Sequence, residues 1–149
     1  MDHCDNFSDN GEVIVDKIVI FDFDGVLCRH TMEPTPYHLV HQILPYLHSR
    51  GWRIMIASFN EDALNLLSSW GYAHMIHDAR CGGYSKPNQI ISLLISSESG
   101  WSKNTKVFFF DDDTTNICEM DSLSLIVSST KIDPDIGISW QNVHEMEKQ

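Results

Sequence analysis

Short apolar runs alternate along the chain with longer segments in which apolar residues recur at helical spacing. Three runs are apolar almost throughout, which is typical of strands buried on both faces of a sheet. They span residues 17–21, 54–57 and 107–110. Weaker strands are predicted near 75–77 and 123–127. This alternation predicts an α/β fold: a single doubly wound, Rossmann-like parallel sheet with helices on both faces.

The predicted helices lie between these strands and follow residues that favour helix starts. They span about 35–50, 60–70, 87–95, 116–120 and the last dozen residues. Thr35 and Pro36 can begin the first helix, in which Pro45 should cause a kink or a break. Asn60 can cap the second helix, and Pro87 suits the first position of the third.

The composition bounds the class of protein. With 42% hydrophobic and 21% charged residues in a length of 149, the chain is expected to be soluble and to bury a real core. We expect residues 1–13 to form a flexible tail and residues 14–149 to form a single domain. No apolar run approaches the roughly 20 residues that a membrane-spanning helix needs.

Charge and cysteine usage narrow the class further. Ten Lys and Arg residues against 21 Asp and Glu give a net charge of -11. This balance argues against a protein that mainly neutralises nucleic-acid phosphates or an anionic membrane, and it suits one that gathers acidic side chains around a cation. The four cysteines are far apart and form no CxxC pair, so we interpret them as free thiols in a reducing compartment. An intracellular, cytoplasmic location is therefore expected.

Polar side chains follow the predicted strands at their carboxyl ends, where doubly wound sheets bind ligands. Asp22 and Asp24 come directly after the first strand. Residues two apart in an extended chain point to the same side, so both carboxylates can face one ligand. One could attack as a nucleophile while the other moves a proton. The alternative is a solvated pair of acids at a strand end.

A second acidic group follows the Phe-rich strand. Asp111 and Asp112 lie where that buried strand reaches the surface, and their mutual repulsion would be relieved by a cation. A cluster of carboxylate oxygens suits Mg²⁺. The alternative is a helix N-terminus enriched in acids, which fits Asp113 as the cap of the helix that contains Asn116.

Ser58 and Lys86 could supply the opposite chemistry, a hydroxyl donor and a fixed cation. Backbone amides at the helix start after Asn60 could add donors for an anion. Lys86 could offset charge that develops on a phosphoryl group. Each residue alone is ordinary, since a single lysine is usually a solvated surface group.

Four segments together resemble the motifs of the haloacid dehalogenase (HAD) superfamily, in that family's order. They are FDFDGVL at 21–27, IMIAS at 54–58, KP at 86–87 and FDD at 110–112. The stretch FFDDD at 109–113, followed by Asn116, is most similar to the small magnesium-dependent phosphatases of that superfamily. The resemblance implies a HAD-like core. The intervals 24–58 and 58–86 are filled by the predicted helices and strands, so no room remains for a cap domain.

The resemblance implies a Mg²⁺-dependent phosphatase that hydrolyses a phosphomonoester. Asp22 would attack phosphorus and form an aspartyl-phosphate, and Asp24 would protonate the leaving oxygen and then activate water. The resemblance implies that Ser58 and Lys86 hold the phosphoryl oxygens, and we expect Asn60 to join them as a phosphate-binding residue because of the helix start that follows it. Those implied to bind Mg²⁺ are Asp22, Asp24 through its backbone carbonyl, and Asp111, with Asp112 beside the ion or in its outer sphere.

A capless site is open, which in this family often goes with macromolecular substrates. A phosphoprotein, a nucleic-acid end or an unselective range of small phosphate esters is therefore expected, although the charge disfavours nucleic-acid binding in general. The loop 28–34 is the segment left to shape substrate choice. No membrane partner is expected.

Two other functions stay open. A catalytically weak HAD-like metal-binding or regulatory module is kept open by Phe59 and Asn60 after Ser58, and by the triple aspartate. A signalling receiver domain would also be acidic, α/β and phosphorylated on aspartate. The order of motifs counts against the receiver domain, because the second acidic cluster here falls after Lys86.

Overall fold

Five parallel strands form the central sheet of the chain. The structure is a computed structural model that describes residues 5–7 and 13–149. The strands are β1 Asp5–Phe7, β2 Val13–Val15, β3 Lys17–Phe21, β4 Arg53–Ser58, β5 Ile76–Cys81, β6 Lys106–Asp111 and β7 Ser128–Lys131. The central sheet has the order β5-β4-β3-β6-β7, and each neighbouring pair is parallel.

Helices cover both faces of this sheet. They are α1 Val40–Ser49, α2 Ala63–Ser69, α3 Lys86–Ile95, α4 Thr114–Glu119 and α5 Trp140–Glu147, with short 3₁₀ helices at Ala73–Met75 and Met120–Leu123. Val19 and Phe21 of β3 pack into one core with α1, α2 and α5, while Ile18 and Ile20 pack into a second core with α3 and Met120. This alternation confirms the doubly wound sheet, because β3 is buried on both faces.

The amino-terminal strands form a separate antiparallel pair, with Asp5 opposite Val15. The predicted tail over 1–13 and the single domain over 14–149 stay predictions, and residues 1–4 and 8–12 lie outside the described part. Cys28, Cys81 and Cys118 are free thiols, as expected, whereas Cys4 is among the undescribed residues. No helix in the described ranges is long and apolar enough to cross a membrane.

The first helix begins later than predicted and is not split. It starts at Val40 rather than near Thr35, and Leu39 precedes it without a side-chain cap. Pro45 lies inside the continuous helix. Both Pro45 and His41 are exposed, so the His41 carbonyl that proline leaves without a helical donor can bond to water.

The second and third helices also begin elsewhere than predicted. Helix α2 starts at Ala63, and Asn60 lies in the preceding turn, where its side chain accepts a hydrogen bond from the Asp62 amide (2.9 Å). Ser85 caps α3 by accepting from the Asn88 amide, which makes Pro87 its second residue. The predicted cap of α4 is confirmed, because the Asp113 side chain accepts from the amides of Thr115 and Asn116.

The two edge strands were the least well predicted. Strand β5 runs to Cys81, well beyond the predicted 75–77. The prediction of a strand over 123–127 is wrong. A 3₁₀ helix ends at Leu123, and the last strand is the polar segment Ser128–Lys131. An edge strand is paired on one side only, so it can be polar and give no apolar signal.

Candidate active site

The acidic residues meet at the point in the sheet where the order of the strands reverses. Strand β3 pairs with β4 on one side and with β6 on the other, so the crevice between β3 and β6 is the switch point at which doubly wound sheets bind ligands. The amide of Asp22 donates to the carbonyl of Phe110 (2.9 Å). Asp22 and Asp111 therefore emerge side by side at the carboxyl edge.

Lys86 reaches this crevice from the first position of α3. Its Nζ donates to Asp22 Oδ1 (2.8 Å) and to the carbonyl of Ala57 (3.0 Å), and lies 3.4 Å from Asp111 Oδ2. The residue is only 1% exposed. A buried ammonium group with three oxygen partners is a fixed cation, so the alternative of a solvated surface lysine does not apply to Lys86.

Burial strongly perturbs the two acids beside Lys86. Burial raises the pKa of Asp22 to about 8; the charge of Lys86 opposes this shift, and the charge of Asp111 adds to it. Burial also raises the pKa of Asp111, against the effects of Lys86, the Asp113 amide and the Asn116 side chain. One ammonium group does not compensate both carboxylates, so their full ionisation calls for a further cation.

Three carboxylates form a group that can hold this cation. Oxygens of Asp22, Asp111 and Asp112 all lie within 4.8 Å of one another. The donors are oxygens only, which fits a hard divalent ion such as Mg²⁺ and not a soft ion that prefers sulfur or imidazole. The residues present therefore fit a divalent metal.

Asp112 is positioned from two sides. His30 Nε2 lies 3.2 Å from Asp112 Oδ2, and the carboxylate lies against Gly25, where any side chain would overlap it. Gly25 has a φ of +80°, a conformation that favours glycine. The backbone turn after β3 thus leaves the space that the Asp112 carboxylate occupies.

Ser58 ends β4, which pairs with β3, and Asn60 follows it; no hydrogen bond joins either residue to the three acids in the described structure. Ser58 is buried at the end of β4, and its Oγ accepts from the Asn60 amide (3.0 Å). The hydroxyl hydrogen of Ser58 remains available to a ligand, because accepting that bond uses only an oxygen lone pair.

Asp24 is half-buried and is not a member of the group of three acids. Its backbone forms an isolated bridge with Cys28. Burial raises the pKa of the Cys28 thiol to about 11, and the charge of Asp24 adds to that shift. Cys28 is thus held protonated, which does not favour a catalytic thiol.

Three polar residues of the site were not predicted as site residues. The Asn116 side chain donates to Asp111 Oδ2 (3.1 Å), and Gln89 Nε2 donates to the carbonyls of Ser58 (2.7 Å) and Gly82 (2.6 Å). Asn116 and Gln89 stand at helical spacing after Asp112 and Lys86, a signal that could have indicated them. His30 lies in the loop 28–34, which was expected to shape substrate choice, but no sequence pattern indicates its contact with Asp112.

Solved structures of similar fold include three informative chains. A hydrolase from Streptococcus pneumoniae has a TM-score of 0.63 at 13% sequence identity, over 89% of this chain and 98% of that one. The core domain of a protein assigned as a phosphoglycolate phosphatase, from the same species, has 0.60 at 16% identity, over 91% and 98%. A chain of the Pnkp1/Rnl/Hen1 RNA repair complex has 0.53 at 18% identity, over 85% and 45%. No family model matches the sequence, and no curated protein matches it.

These likenesses establish the fold. The chain has a HAD-like fold, with one α/β core. The segment between β3 and β4 holds a loop and α1, and the segment between β4 and α3 holds α2, a 3₁₀ helix and β5. In neither of these fully described segments does the chain form a cap domain.

Proposed function

We propose that this chain, whose fold is HAD-like and capless, is a Mg²⁺-dependent phosphatase that hydrolyses a phosphomonoester through an aspartyl-phosphate on Asp22. The observation that carries the proposal is the pairing of Asp22 Oδ1 with the buried Lys86 ammonium (2.8 Å) inside a group of three carboxylates. A carboxylate so held is oriented for attack, and the adjoining acids can bind the metal that such chemistry uses.

The residues proposed to hold Mg²⁺ are Asp22, Asp111 and the backbone carbonyl of Asp24, with Asp112 beside the ion or in its outer sphere. The ion would supply positive charge to the phosphoryl oxygens. Lys86 fixes the rotation of the Asp22 carboxylate through Oδ1 and offsets negative charge beside it. Geometry supports the three carboxylates, whose oxygens lie together, and the Asp24 carbonyl rests on the resemblance of the motifs.

The chemistry divides between two acids. A carboxylate oxygen of Asp22 attacks phosphorus, the bond from phosphorus to the leaving oxygen breaks, and Asp24 donates a proton to that oxygen. Asp24 then takes a proton from a water molecule that attacks the phosphorus of the aspartyl-phosphate. Inorganic phosphate leaves, and the Asp22 carboxylate is restored.

The phosphoryl oxygens would be held by Ser58 and Lys86. The Ser58 hydroxyl can donate to an oxygen, because the Asn60 amide already satisfies one of its lone pairs and fixes its position. We therefore assign Asn60 a supporting part in phosphate binding, through Ser58.

An open edge without a cap supports a macromolecular substrate, such as a phosphoprotein or a nucleic-acid end, or an unselective range of small phosphate esters. The likeness to a chain of an RNA repair complex supports the macromolecular class. A net charge of -11 favours a protein over a long polyanion. The predicted intracellular location stays a prediction.

Hydrolysis of an aryl phosphate, with and without Mg²⁺, tests the proposal. The parent should turn over only with the metal, and Asp22→Asn should fall to background because it keeps the shape but removes the nucleophile. Asp113→Asn is the matched control, since asparagine still caps α4 and Asp113 lies outside the group of three acids. Turnover that survives in Asp22→Asn would contradict the proposal, and Mg²⁺ binding without turnover by the parent would favour a regulatory module instead.

A further inference from the structure

Phe59 covers the buried lysine and also faces solvent. Lys86 Nζ lies over the Phe59 ring, 4.4 Å from its centroid, while the ring is 37% exposed. The ring therefore contacts the ammonium group as a cation–π partner, while part of the residue stays open to solvent. Phe59 belongs to neither apolar core, so its aromatic ring does not fill the interior of the fold.

A second exposed aromatic residue stands on the neighbouring loop. Tyr84 is 96% exposed and lies between β5 and α3, two residues before Lys86. Phe59 follows β4, and β4 pairs with β5. Gln89 joins the two loops, because its amide donates both to the Ser58 carbonyl and to the Gly82 carbonyl.

An open surface cavity of about 370 Å³ lies beside Tyr84, and its volume is in the range of small-molecule sites. Its lining includes Arg80, Gly83, Tyr84, Asn88 and Gln89. Gln89 thus lines the cavity, and it also contacts the end of β4, where Ser58 and Phe59 lie, because its amide donates to the Ser58 carbonyl (2.7 Å). It is therefore the structural link between this cavity and the end of β4.

We propose that Phe59 and Tyr84 form a subsite for an aromatic ring in the leaving group of the substrate. This subsite rests on the proposed phosphatase function. The Phe59 ring is adjacent to the ammonium group assigned to the phosphate, so a substrate ring that contacts it must lie within a few bonds of the ester oxygen. The substrate class is accordingly an aryl or arylmethyl phosphate. Ring-on-ring contact favours this class over saturated esters of the same size.

The test compares benzyl phosphate with cyclohexylmethyl phosphate. Both release a primary alcohol and have similar size, so the ratio of their kcat/KM values reports recognition of the ring. The parent should prefer the benzyl ester by about three- to tenfold, and Phe59→Leu and Tyr84→Ala should each bring the ratio towards one. Leu125→Ala is the control, because Leu125 is 99% exposed and precedes β7 at the opposite edge of the sheet.

Binding of the two non-hydrolysable phosphonates, measured by calorimetry in the presence of Mg²⁺, gives a readout that does not depend on turnover. A ring preference in binding without hydrolysis would support the subsite while contradicting the phosphatase. A ratio near one in the parent would overturn the subsite. The subsite would also be overturned if Phe59→Leu lowered kcat/KM equally for both esters and Tyr84→Ala left the ratio of the two kcat/KM values unchanged. Phe59 would then serve only to cover Lys86.

Discussion

At the scale of single residues, the central feature is one buried ammonium group that faces two buried carboxylates. Lys86 bonds Asp22 and lies near Asp111, and burial raises the pKa of both acids. The place of these three residues in the candidate site could be predicted from the sequence, because each follows an apolar strand or lies at the start of a helix. The sequence could not predict their degree of burial or the contact of His30 with Asp112, since both depend on how distant loops pack.

The raised pKa of Asp22 predicts how the metal-free protein responds to pH. The pKa lies at about 8, above the ordinary value of 3.8, so the folded state binds this proton more tightly than the unfolded chain does. The resulting contribution to stability is full below about pH 4 and is lost as the pH rises to about 8. Mg²⁺ must displace the same proton, so its affinity should increase across this window.

Thermal unfolding in a chelator, for the parent and Asp22→Asn, measures this contribution. The stability of the parent relative to the variant should decline from about pH 4 to about 8 and then level off. Calorimetry in buffers of different ionisation enthalpy should detect a proton released when Mg²⁺ binds at neutral pH. Parallel unfolding curves across this range would show that Asp22 has an ordinary pKa.

At the scale of elements, the turn after β3 decides where Asp112 can lie. Gly25 has φ +80°, and the Asp112 carboxylate occupies the place of a side chain there. Gly71, after α2, has φ +89° but nothing within 4 Å of a Cβ placed on it. A substitution at either glycine would strain the backbone in the same way. The added methyl group would overlap the Asp112 carboxylate at Gly25 and would meet nothing at Gly71.

Alanine at each glycine separates these two effects. Gly25→Ala and Gly71→Ala should each destabilise the fold by about 1–2 kcal/mol, because the left-handed conformation is unfavourable for alanine. Only Gly25→Ala should also weaken Mg²⁺ binding, by about 10- to 100-fold, since it displaces Asp112. Calorimetric titration with Mg²⁺ measures this difference, and equal affinities in the two variants would exclude Asp112 from the metal site.

The predictability of each element follows from its burial. The central strands β3, β4 and β6 could be predicted because both of their faces are buried, which demands apolar side chains throughout. Strand β7 could not, since Ser128–Lys131 pairs on one edge only and is polar. The start of α1 was misplaced because Thr35 and Pro36 resemble a helix start, whereas Pro36 instead forms a bridge with Cys28.

At the scale of the whole molecule, the site exists because of the topology. Asp22, Lys86 and Asp111 are far apart in the chain, and the order β4-β3-β6 brings their segments to one edge. Helices cover both faces of the sheet, while no cap covers this edge in residues 13–149. A net charge of -11 accompanies a cluster of three acids that a divalent cation would neutralise.

The most direct test of the central claim is to trap the covalent intermediate. The protein would be mixed with Mg²⁺ and an aryl phosphate, quenched in acid within a turnover, digested, and examined by mass spectrometry. The account predicts a phosphoryl group on Asp22, which hydroxylamine removes and which is missing without Mg²⁺ and in Asp22→Asn. Turnover by a protein that carries no phosphoryl group at Asp22 at any quench time, or carries it at Ser58 instead, would contradict the account.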